Sequence, residues 1–136
     1  MMHRRSLVVG IAGILAMAQA GCAAFDEKLA AIWADPMATW NPPELVRSSR
    51  RENPAHPGGI GAAGDQSSLI RTLELPSPSS VMGALEAAIE AAVSAGWAKS
   101  PEGDWLRREL RGFQGLLIVN QSPSDATNLV LSIHAS

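Results

Sequence analysis

From Ser68 onward the apolar positions follow two clear periods. Ser68–Leu75 places Leu69, Leu73 and Leu75 on one face and Thr72 and Glu74 on the other, the alternation of a half-buried strand. Pro76-Ser77-Pro78 ends it. Apolar residues then recur every three or four positions, at Val81, Met82, Leu85, Ala88, Ile89, Ala92 and Val93. That spacing predicts a helix capped by Ser79 or Ser80 and running to about Ala95. Gly96 suits the left-handed position just past a helix, with Trp97 folding back onto the last turn. Pro101-Glu102-Gly103-Asp104 reads as a turn. Trp105–Arg111 reads as a strand with Leu106 and Leu110 inward, and Gly112 as a tight connection. Phe113–Gln121 is apolar on both faces from Leu116 to Val119 and is expected to be an inner strand. After a turn at Ser122–Ala126, Thr127–His134 turns Leu129, Leu131 and Ile133 to the core.

Strand, helix and three strands predict an α+β fold over residues 67–136. The expected architecture is a two-layer sandwich, one helix on a four-stranded, mostly antiparallel sheet. The uncovered face of that sheet would carry Ile70, Thr72, Trp105, Arg107, Glu109, Val130 and Ser132.

Ahead of this unit the pattern weakens. Asp26–Trp33 has Leu29, Ile32 and Trp33 on one helical stripe, with Asp26 as the cap. From Asp35 to Gln66 apolar residues are sparse, five of the nine prolines fall between positions 36 and 57, and glycines occupy 58, 59, 61 and 64. Residues 22–66 therefore read as an anchor site and flexible spacer, with Trp40 as the docking point should the segment wrap over the domain instead. Arg47, Arg50 and Arg51 form a basic cluster there, suited to anionic lipid or wall polymer and interleaved with Glu44 and Glu52.

The first 21 residues read as an export signal. Arg4 and Arg5 form a positive start, and Leu7–Ala20 is an uncharged run of 14 residues, too short to span a bilayer. Ala18-Gln19-Ala20 fits cleavage by ordinary signal peptidase, which would yield a secreted protein. Ala20-Gly21-Cys22 resembles the end of the lipobox of bacterial lipoprotein precursors, with Gln19 where that motif usually has Leu. The resemblance implies a diacylglyceryl thioether on Cys22, the sole cysteine, and a protein held at the outer face of the cell membrane. Arg4-Arg5-Ser6-Leu7-Val8 also resembles a twin-arginine export motif. Leader, spacer and the Ala95-Gly96-Trp97 helix end together resemble small lipoproteins of high-GC Gram-positive bacteria, a family that implies no activity.

Charge and chemistry narrow the picture further. Eleven Lys and Arg against 13 Asp and Glu give −2, and loss of the leader's two arginines gives −4, a balance unlike a nucleic-acid binder's. One cysteine excludes a disulfide framework and a Cys-rich zinc site. His3, His56 and His134 have no ligand spacing, so no metal or other cofactor is expected. Glu86 and Glu90 share a helix turn on the solvent side. The best cluster is Trp105 with Arg107, Arg108 and Arg111 on one strand, and Arg71 as a potential neighbour. Trp105, Arg107 and Arg111 are thus the candidate binding surface, by ring stacking and bidentate hydrogen bonding. The expected function is a non-enzymatic interaction module for an envelope protein or wall polymer. The alternatives are an envelope hydrolase built on His134 or Asp125, and an accessory subunit of a sensor or transport complex.

Overall fold

The computed structural model describes residues 26–54 and 66–136. The export signal, Cys22, His3, His56 and the glycine run at 58–64 lie outside the described residues. The elements are α1 (Glu27–Trp33), a 3-10 turn (Pro36–Ala38), β1 (Arg47–Asn53), β2 (Ser67–Glu74), α2 (Pro78–Ser94), β3 (Ala98–Lys99), β4 (Leu106–Leu110), β5 (Phe113–Gln121) and β6 (Asn128–Ala135). The expected α+β class holds. Among the described residues the sheet has six strands rather than four, all antiparallel, in the order β1-β2-β6-β5-β4-β3. The meander β3 to β6 returns to lie beside β2, and α2 makes the crossover.

One sheet face forms the core. Leu69 and Leu73, Leu129, Leu131 and Ile133, Leu117 and Val119, and Leu106 and Leu110 are all buried. Both helices pack there. Helix α2 contributes Val81, Ala84, Ala88 and Ala92, small residues that allow close approach to β5 and β6. Met82 and Val93, expected in this stripe, are about half exposed, because the buried line runs along the alanines. Ser77 is the cap rather than Ser79 or Ser80. Its hydroxyl accepts from the Ser80 N–H at 3.2 Å, and Pro78 takes the first helical position. The predicted helix end is present: Gly96 has φ +106°, Gly96 N–H donates to Val93 O, and Trp97 N–H donates to Ala92 O.

The stretch expected to be a spacer supplies an edge strand and a strap. Every residue of β1 is exposed, so it carries no apolar alternation to read; it is held by its backbone ladder to β2. Its arginines suit an edge strand, where charge deters further pairing. Helix α1 buries Leu29, Ala31 and Ile32 on the core, and Met37 and Ala38 follow.

Asp35 fixes this strap. Its side chain is 1% exposed and its carboxylate accepts three hydrogen bonds: from Met37 N–H (2.9 Å), Trp97 Nε1 (3.0 Å) and Arg108 Nη1 (2.7 Å). Residues 62 and 73 positions apart along the chain are thereby tied to one group. Further along, Arg71 donates to Trp40 O and to Asn41 Oδ1. Trp40 does dock, packing against the core.

Candidate functional site

Because α1 and α2 share one face, the other face has neither helix over it. Alternation places Ile70 and Thr72 of β2, Val130, Ser132 and His134 of β6, Leu116 and Ile118 of β5, and Arg107 and Glu109 of β4 there. The apolar members are half-buried rather than buried. At the β4 end the face dips into an open concavity of about 810 Å³. Leu116 and Ile118 line its floor, and Trp105, Arg107, Glu109 and Gln114 line its sides. The Arg107 guanidinium stacks on Trp105, 4.6 Å from the ring centroid. Such stacking holds a long cation in one place and leaves its N–H edge free to bond.

The predicted arginine cluster is divided. Arg107 joins Trp105 as expected. Arg108, one residue on, points to the opposite face and is bound by Asp35. Arg111 is not on the strand. With Gly112 it forms the two-residue turn of the β4–β5 hairpin, at φ +51° and +90°, the values of a type I′ turn. Its side chain is exposed beside the concavity's edge residue Gly112. Arg71 lies on β2, with β6 and β5 between it and β4, and it faces the core side.

The candidate hydrolytic pair is also apart. His134 sits on the open face between Ser68 of β2 and Leu116 of β5, and burial lowers its pKa. The Ser68 hydroxyl accepts from Asn53 Nδ2. Asp125 lies in the β5–β6 loop, where the Thr127 hydroxyl and N–H bond its carboxylate and lower its pKa. His134 is six residues along β6 from Asn128, about 20 Å at strand rise. Glu86 and Glu90 are exposed on α2, as expected. Among the described residues no group of three His, Cys, Asp or Glu is placed to hold a metal ion, and no helix among them is long and apolar enough to cross a membrane.

Asp35 was not singled out in the sequence. The available signal was Asp-Pro ahead of a short apolar run, a cap with proline at the first helical position. Its distant partners Trp97 and Arg108 leave no local mark. No family model, curated protein or solved structure matches the chain.

Proposed function

We propose that the chain is a lipid-anchored, non-enzymatic binding module of the cell envelope, tethered through Cys22 and docking an envelope protein on its open sheet face. The observation that supports docking is the pairing of a face that carries no helix among the described residues with a Trp–Arg stack over an apolar floor. Trp and Arg are the side chains that most often dominate protein contacts, at the centre of well-packed patches. Half-buried Leu116, Ile118, Ile70 and Val130 supply an apolar surround that water wets poorly. The tethering part rests on the resemblance at Ala20-Gly21-Cys22.

Replacing Trp105 and Arg107 together by Ala tests the surface. Neither side chain is in the core, so the fold is expected to survive while co-purification of the partner is lost; an unchanged pull-down removes this face from the proposal. Intact mass of the membrane fraction tests the tether. A species beginning at Cys22 with added diacylglycerol is expected, and a soluble one beginning at Gly21 without added mass contradicts it.

A further inference from the structure

A second charged site lies at the rim of the helix-covered face, away from the open surface. Arg50 of β1 and Arg71 of β2 are direct cross-strand partners, so their Cβ atoms are about 5 Å apart on the same side of the sheet. Arg71 is only 7% exposed, and its two terminal nitrogens donate to Trp40 O and Asn41 Oδ1, acceptors without formal charge. Arg50 lies 5.0 Å from the centroid of the Trp33 ring. Among the described residues neither guanidinium has a carboxylate within ion-pair distance. Glu52, on the same side of β1, accepts from Trp33 Nε1 at 2.8 Å instead. Burial first, and then the charge of Arg50, lower the Arg71 pKa.

Like charges opposed across a ladder repel, and a buried cation without an anion is costly. The pair opens onto a cavity of about 510 Å³, to whose wall Thr39, Asn41 and Ser48 add polar groups and Trp33 an aromatic one. We propose that this cavity binds a phosphoryl group, clamped between the Arg50 and Arg71 guanidiniums. Two guanidiniums match the roughly −1.5 to −2 charge of a phosphomonoester at neutral pH, whereas a carboxylate leaves one unneutralised. The planar fork of Arg50 suits bidentate contact with phosphate oxygens, and Arg71, with two of its five N–H groups taken by Trp40 and Asn41, keeps three to donate. The group belongs either to a small soluble phosphate or to the headgroup of an anionic lipid.

The test titrates inorganic phosphate into the full chain in detergent and follows the Arg Nε–Hε resonances. Saturable shifts of Arg50 and Arg71 are expected, with a Kd on the order of 1 mM. Arg50→Gln removes an exposed side chain on an edge strand, so it is expected to fold and to weaken binding about tenfold or more. Arg51→Gln, the same charge change on the opposite side of β1, is expected to leave binding intact. An absence of saturable shifts, or equal affinity in Arg50→Gln and the parent, overturns the site. Phosphatidic acid in phosphatidylcholine vesicles displaces inorganic phosphate if the source is lipid, and leaves it bound if the source is soluble. Arg50→Gln does not touch the open face, so partner co-purification persists in it and the two proposals fail separately.

Discussion

Removing the Asp35 carboxylate is expected to destabilise the whole domain, although the residue lies in a segment whose composition resembles a linker. Asp35→Ala leaves the Trp97 indole N–H without its acceptor at a position 2% exposed, a loss of about 1–3 kcal/mol. It also leaves Arg108 without its counter-ion. Breaking a buried pair costs about 3–5 kcal/mol, but the Arg108 side chain is 34% exposed and can turn to water, which lowers that figure. These losses, with that of the acceptor for the Met37 N–H, share one site and do not add in full. A total near 3 kcal/mol follows, against about 5–15 kcal/mol for a typical domain, with a fall in Tm of about 15 °C. Urea unfolding followed by circular dichroism measures it. A double-mutant cycle of Asp35→Ala with Arg108→Met is expected to give a coupling of about 1.5–3 kcal/mol. Asp35→Ala within about 0.5 kcal/mol of the parent, or no coupling, would refute the reasoning. The strap would then be a passive spacer resting on an independently stable sheet.

Two further predictions concern the sheet. A Cβ at Gly115 would lie 2.6 Å from Arg108 O and 2.7 Å from the Leu110 side chain, so Gly115→Ala is expected to cost about 1–3 kcal/mol by thermal unfolding. Because burial depresses the His134 pKa in the folded state, the unfolded chain binds the proton more readily. The stability from keeping His134 neutral is full above about pH 6.5 and falls as pH drops through the lower folded value. His134→Gln is expected to flatten that part of the stability–pH curve.

The elements that alternate or repeat were legible. Leu69 and Leu73, Leu129 to Ile133, and the Gly96–Trp97 helix end appear where their patterns place them. Two strands were not. β1 is exposed along its whole length and is held by backbone bonds, which no side-chain period reports. β3 has only two residues, too few for a period. In the candidate site, parity alone separated Arg107 from Arg108, and the Trp105–Arg107 stack follows from their shared face. The Asp35 and Arg50–Arg71 arrangements join positions far apart in the chain, and only strand order and register bring them together.

The measurement that most directly tests docking on the open face is site-specific photo-crosslinking in intact cells. A photoreactive side chain at Ile118, in the floor of the concavity, is compared with one at Glu86, on the exposed side of α2. The account predicts one discrete protein adduct from position 118, lost when Trp105 and Arg107 are both replaced by Ala, and none from position 86. Adducts of equal yield from both positions, or an adduct at 118 that survives the double replacement, would contradict it.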